Sequence, residues 1–194
     1  MAGPDQKAGD QVGEPVWDLG TRLFHWGLVI CVTGAWLLGE FGPNQMTLHF
    51  WFGYGVAGLL VFRLIWGLIG PRNARFVNFI YGPSSILNYA QGLLRRQPSH
   101  WNGHNPLGSL SVFAMLAALI VQVGSGLVAD ADDYINIGPL AKYVSTAISR
   151  QAVALHDTMQ AVILLLVVLH IATIVFYRVW KRENLVKPMI TGRR

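Results

Sequence analysis

The stretch that decides the fold is LHDTMQAVILLLVVLH, residues 155–170. It is apolar enough to lie in a membrane, yet it carries a histidine near each end, His156 and His170. Ionisable side chains inside a membrane segment are costly and usually have a function. The fourteen-residue separation is about 21 Å along a helix and close to a whole number of turns, so both rings share one face at opposite depths. Each ring therefore needs a partner from another helix.

The composition of the 194-residue chain is typical of an integral membrane protein. Hydrophobic residues make up 53% and charged residues 13%, whereas about a quarter of the residues in a soluble domain are charged. Four apolar blocks lie at 22–40, 47–69, 106–129 and 152–178, and each approaches the roughly 20 residues that cross a bilayer. The sequence predicts an all-α fold, an integral membrane four-helix bundle.

The regions outside the four blocks give the predicted domain boundaries. Residues 1–16 are polar and rich in glycine and proline, and they lack the pattern of a signal peptide. We expect them to form a disordered tail. The transmembrane domain is predicted to occupy residues 17–182, and a C-terminal tail is predicted at 183–194.

Two loops contain amphipathic stretches. The segment SSILNYAQGLLRR at 84–96 predicts a helix that lies against the lipid headgroups. The loop at 130–151 begins with acidic residues and predicts a short helix along the membrane surface, with Ala141, Val144 and Ile148 on one face. Its acidic start is suited to a basic protein partner, although a solvated turn explains it as well.

Basic residues predict the orientation of the chain. Twelve lie before or at the start of the first block, in the long middle loop, or after the fourth block, and only Lys142 and Arg150 lie in the other two loops. By the positive-inside rule, both termini and the middle loop are cytoplasmic. This distribution accounts for the net charge of +5, so no nucleic-acid partner is expected.

Depth in the membrane predicts how the histidines pair. His25 near the start of the first block and His170 in the fourth lie toward the cytoplasmic side, whereas His49 and His156 lie toward the periplasmic side. The expected pairs are His25 with His170, and His49 with His156. Two histidine pairs stacked inside a four-helix bundle are the arrangement that two bis-histidine haems require. A proton relay in a transporter or channel is the alternative for these histidines.

Two arginines are candidates for binding haem propionates. Arg63 lies fourteen residues after His49, so it shares that face at the cytoplasmic depth. A guanidinium group is well shaped to bind carboxylates. Arg22, about one turn before His25, is the second candidate. For Arg63 the alternative is snorkelling of its head group to the lipid headgroups.

His104 and Asn105 directly precede Pro106 at the start of the third block. Their position at the cytoplasmic surface makes them candidates for binding a haem propionate or a quinone carbonyl. Helix capping is the alternative, because Asn before Pro is ordinary at a helix start.

Five stretches carry a family resemblance. They are VWDLGTRLFHW (16–26), HFWFGYGVAGLLVFRLIWGLIGP (49–71), HNPLGSLSVFAMLAALIVQVGSGL (104–127), LHDTMQAVILLLVVLHIA (155–172) and ENLVKPMITGR (183–193). Through them the sequence resembles the prokaryotic cytochrome b561 family, which shares its fold with the b-type cytochrome subunit of nickel–iron hydrogenases. The resemblance implies a di-haem b membrane protein, and the ligand pattern of the family falls on the four histidines selected by depth.

The resemblance also implies a function in the bacterial inner membrane. A multi-pass protein of this kind transfers electrons between the quinone pool and a soluble or periplasmic partner, either a c-type cytochrome or a dehydrogenase or hydrogenase. Two alternatives are a superoxide oxidase that passes electrons to ubiquinone, and a haem-bearing membrane anchor for a larger redox complex. The apolar and small residues on the spans also permit a homodimer.

Overall fold

A computed structural model describes residues 15–43, 46–96, 101, 103–132 and 135–194. The predicted disordered tail falls almost entirely on residues outside these ranges.

The described chain is built from helices, four of which are long and apolar enough to cross a membrane. These findings confirm the predicted all-α fold and its four spans. The helices are α1 (Leu19–Phe41), α2 (Thr47–Ile69), α3 (Pro83–Gln91), α4 (Pro106–Val128), α5 (Thr146–Phe176) and α6 (Val186–Thr191). After α5 the chain continues as a π-helical segment, Tyr177–Lys181.

A polar side chain fixes where α1 begins. The Asp18 carboxylate accepts hydrogen bonds from the backbone N–H of Thr21 at 3.0 Å, the Thr21 hydroxyl at 2.6 Å and the Trp66 indole at 3.0 Å. Burial alone would raise the pKa of Asp18, but these hydrogen bonds outweigh burial and the pKa is lowered. Asp18 therefore caps α1 as a carboxylate and ties it to the end of α2.

The loop before α5 differs from the sequence prediction. Ser145 caps α5, so this helix begins six residues before the predicted apolar block, and Ile148 already belongs to it. The separate surface helix predicted in the outer loop is wrong, because Ala141–Tyr143 forms only a single 3-10 turn. The predicted inner helix is confirmed over most of its length, but α3 ends at Gln91, with Gly92 as its C-cap, and stops short of residue 96.

The helices pack as a chain of neighbours: α1 against α2, α2 against α4, and α4 against α5. The buried apolar core lies where α2, α4 and α5 meet. It contains Val56 and Leu60 of α2, Leu116 and Leu119 of α4, and Ile163 of α5.

Both ends of the described chain meet at one end of the bundle. The backbone N–H groups of Val16 and Trp17 donate to the carbonyl of Gly192, at 2.9 and 3.2 Å. Gly192 has a φ of +81°, and a Cβ there would lie 2.9 Å from the Trp17 carbonyl oxygen, so the position requires glycine. We call this end of the bundle, where Val16 and Gly192 meet, the inner end, and the opposite end the outer end.

Candidate functional site: two stacked histidine pairs

The structure brings the four predicted histidines together as two pairs. His25 of α1 and His170 of α5 face each other with ring centroids 6.4 Å apart. His49 of α2 and His156 of α5 do so at 6.1 Å. An imidazole nitrogen lies about 2 Å from a metal that it binds, so two rings on opposite sides of one iron have centroids roughly 6 Å apart. Both pairs fit a bis-histidine haem.

Hydrogen bonds orient the rings of the outer pair, His49 and His156. His49 Nδ1 lies 2.8 Å from the carbonyl oxygen of Ala35, and His156 Nδ1 lies 2.9 Å from that of Gln122. A carbonyl can only accept, so each Nδ1 carries the proton and donates. This leaves Nε2 as the metal-binding nitrogen, which is the usual way in which surrounding groups orient a histidine ligand.

Gln122 is a site residue that the sequence analysis missed. Besides its carbonyl, its side-chain nitrogen lies 3.0 Å from His156 Nε2. The Ser125 hydroxyl donates to the Gln122 carbonyl at 2.9 Å and lies 3.3 Å from His156 Nδ1. The available signal was a glutamine inside an apolar span, since polar residues there usually have a function.

The inner pair, His25 and His170, is bordered by buried polar atoms that lack partners. Among the described residues, neither His25 Nδ1 nor Arg22 Nε has a hydrogen-bond partner, although both atoms are buried. The guanidinium group of Arg22 also donates to the carbonyl of Ile190 in α6. Buried polar atoms are rarely left unpaired in a native protein. A carboxylate-bearing cofactor at the inner pair would supply the missing partner.

Glycines leave room around the outer pair. A Cβ at Gly126 would lie 2.9 Å from a ring carbon of His156, and a Cβ at Gly39 would lie 3.2 Å from His49 Nδ1. Gly53 is partly buried, one turn after His49, but a Cβ there would meet nothing within 4 Å. Gly126 and Gly39 therefore let the two imidazoles lie close against neighbouring helices, and the open space beside Gly53 suits a flat macrocycle.

Arg63 is buried beneath the inner end of the bundle. Its side chain is only 2% exposed, so the snorkelling alternative is wrong. The guanidinium group donates to the carbonyl of Ala74 at 3.0 Å and lies 4.5 Å from the ring centroid of Phe76. A buried arginine over an aromatic face is stabilised by a cation–π interaction. Arg63 therefore holds the segment that follows α2.

Asn105 and His104 have different surroundings. The Asn105 side chain caps α4 by accepting from the Gly108 N–H at 2.7 Å, and its amide donates to the Tyr177 hydroxyl at 3.0 Å, so the capping alternative holds. The His104 ring lies between Trp17 and Phe79, with centroids at 4.6 and 4.4 Å. Its Nδ1 is buried without a partner among the described residues. The ring also lines a cavity of about 430 Å³.

Burial makes His104 a neutral imidazole at neutral pH. Burial and, to a lesser extent, the nearby charge of Arg63 together lower the pKa of His104 to about 4. The unfolded chain, with an ordinary pKa of about 6.5, binds more protons between these two values, so folding stability falls as the pH drops from about 6.5 to about 4.

We therefore expect the thermal unfolding midpoint to fall over this pH range, and to fall less steeply in a His104→Gln variant. Differential scanning fluorimetry of the two proteins in the same detergent measures this difference. Parallel curves would show that His104 does not contribute to the pH dependence.

Four apolar helices that hold two stacked pairs of imidazoles define a membrane protein of the b-type cytochrome class. The chain belongs to the prokaryotic cytochrome b561 family, whose sequence profile matches residues 16–192. Membership in this family implies haem b, and hence iron, as the cofactor of a multi-pass electron-transfer protein.

Two curated relatives agree with this family. The chain is 25% identical to a probable Ni/Fe-hydrogenase B-type cytochrome subunit of Rhizobium leguminosarum bv. viciae, over 97% of this chain and 92% of the relative. It is 24% identical to the probable Ni/Fe-hydrogenase 1 B-type cytochrome subunit of Escherichia coli K12, over 72% of this chain and 70% of the relative.

Proposed function

We propose that this chain is a di-haem b cytochrome that carries electrons across the bacterial inner membrane, between the quinone pool and a soluble or periplasmic redox partner. The observation that carries the proposal is the pair of ring separations, 6.4 Å at the inner end and 6.1 Å at the outer end. One haem on His25 and His170 and another on His49 and His156 would provide one redox centre near each membrane surface.

The residues around each histidine pair would orient the imidazoles, bind the haem propionates and adjust the local electrostatics. The carbonyls of Ala35 and Gln122 hold the outer imidazoles in the tautomer that leaves Nε2 for iron. Arg22 at the inner end has a buried N–H without a partner in the described part of the chain, and this group suits a propionate. Arg63 and His104 lie at the same end, where the charge of Arg63 contributes to the electrostatics. When bound, haem supplies reversible one-electron chemistry, and its potential depends on ligands, burial and nearby charge.

The orientation follows from the basic residues. The inner end holds both described termini, and the segments on that side carry most of the lysines and arginines of the chain. Because basic residues favour the cytoplasmic side, we place the inner pair toward the cytoplasm and the outer pair toward the periplasm.

The names of the relatives favour a hydrogenase as the partner, with this chain as its haem-bearing membrane subunit. A c-type cytochrome or another dehydrogenase would use the same outer end. The superoxide alternative is less favoured, because Arg150, one of two cations expected on the outer surface, lies 2.8 Å from Asp132 in an ion pair. That pairing reduces its attraction for an anionic substrate.

An optical spectrum of the purified protein tests the proposal. We expect two haems per chain and, after reduction with dithionite, an α-band of six-coordinate b type. Haem is quantified as the pyridine haemochrome against protein concentration. A colourless protein, expressed with ample haem, would instead support the alternative hypothesis that the histidines form a proton relay in a transporter or channel.

A further inference from the structure

The outer end contains a polar side-chain pair that neither imidazole pair requires. Gln160 of α5 donates a hydrogen bond from its side-chain nitrogen to Glu40 Oε2 of α1, at 3.1 Å. Glu40 is exposed and Gln160 is half-buried. The pair therefore links α1 to α5 at the outer end of the bundle.

This pair flanks both outer imidazoles. Glu40 directly follows Gly39, whose Cβ position lies 3.2 Å from His49 Nδ1. Gln160 follows His156 by four residues, so it lies on the same face about one turn deeper in the membrane. A molecule held by Glu40 and Gln160 would thus lie beside the outer site.

The surroundings of the pair are apolar. Leu37 of α1 and Leu164 of α5, one turn from Glu40 and Gln160 respectively, are 45% and 37% exposed. A carboxylate and an amide beside exposed leucines are unusual in apolar helices and point to a function. A molecule that reaches them between these helices must be lipid-soluble and must carry a hydrogen-bonding head group.

We propose that Glu40 and Gln160 bind the head group of a hydroquinone from the lipid phase. The proposal rests on the proposed function, which makes quinone the membrane partner, and adds the place and the preferred redox form. A hydroquinone hydroxyl can donate to the Glu40 carboxylate and accept from the Gln160 amide, because these two side chains lie within 3.1 Å of each other. A quinone carbonyl can only accept, so it gains the amide bond alone. The site therefore prefers the reduced form.

Binding measurements on the haem-loaded protein in lipid nanodiscs test this preference. The probes are decylubiquinone with the oxidised protein and decylubiquinol with the dithionite-reduced protein, titrated by calorimetry. Menadione and menadiol serve as a second pair of probes. The variants are Glu40→Leu and Gln160→Leu. Thr158→Val is the matched control, because Thr158 is exposed on the helix that carries Gln160 and its hydroxyl donates to the carbonyl of Ala154 in its own helix.

We expect Glu40→Leu to weaken hydroquinone binding at least about tenfold, as loss of a hydrogen bond to a charged group implies, with less than a twofold effect on quinone. Gln160→Leu should weaken both forms, and Thr158→Val neither. If Glu40→Leu and Gln160→Leu lower the thermal midpoint but leave both affinities unchanged, the pair is only a link between helices and the proposal is overturned. If the wild type retains two haems but binds none of the probes, the quinone part of the proposed function fails as well.

Discussion

Replacing His170 with leucine is expected to reduce the haem content from two groups per chain to one, with loss of the inner haem. His156→Leu should give the same count with loss of the outer haem. Each substitution removes one of two axial imidazoles from one site, while the other pair keeps its 6.1 or 6.4 Å separation. The pyridine haemochrome gives the count, and low-temperature spectra of the reduced protein show which α-band component is lost.

His104→Gln is the matched control for both variants. His104 is also a histidine near the inner end, but its ring lies between Trp17 and Phe79 and faces no second imidazole among the described residues. It should retain both haems. Two haems in both leucine variants would contradict the assignment of ligands. Loss of both haems in each variant would show instead that α5 folds only when both sites are filled.

The four spans and the pairing of the histidines could be predicted because each follows from one strong physical constraint. A bilayer fixes the length of an apolar helix, and successive spans must alternate in direction. Once direction is known, the position of a histidine within its span gives its depth. His25 and His170 are 145 residues apart in the sequence, yet depth alone places them at the same end.

The start of α5, the position of α6 and the role of Gln122 depend on tertiary contacts, which the pattern of apolar residues in the sequence does not reveal. The early start of α5 depends on a single cap, Ser145, in a stretch too polar to count as a span. The interaction of α6 with α1, through the carbonyl of Ile190 and the Arg22 side chain, arises from the path of the chain after α5. Gln122 stood out only as a polar residue in an apolar block, and its partner could not be inferred without the packing of α4 against α5.

For Arg63 the sequence predicts the depth in the bundle but not the contacts with Ala74 and Phe76. Its spacing from His49 predicts the inner depth, with propionate binding or snorkelling as its role. The side chain is almost fully buried, which excludes snorkelling, and it contacts the segment after α2 through Ala74 and Phe76. The sequence gives no sign that this segment folds back under the bundle, because its aromatic residues are equally typical of a membrane interface.

Arg63→Leu is expected to destabilise the protein by about 1–3 kcal/mol, because the buried carbonyl of Ala74 loses its charged donor and Phe76 loses a cation–π partner. Removing a positive charge from the inner end should also lower the midpoint potential of the inner haem, since the oxidised iron carries the greater positive charge. Thermal unfolding monitored by haem absorbance gives the first effect, and spectroelectrochemical titration gives the second.

Arg63→Lys separates these two effects. Lysine keeps the positive charge but lacks the planar fork that can both donate to Ala74 and lie over Phe76. We therefore expect an unfolding midpoint between those of the wild type and Arg63→Leu, with an inner-haem potential close to the wild-type value. If Arg63→Leu leaves the potential unchanged while the stability falls, Arg63 only fastens the segment after α2 and its charge does not reach the inner haem. If Arg63→Lys shifts the potential as far as Arg63→Leu does, the planar fork matters at the haem itself, as a bidentate contact with a propionate would require.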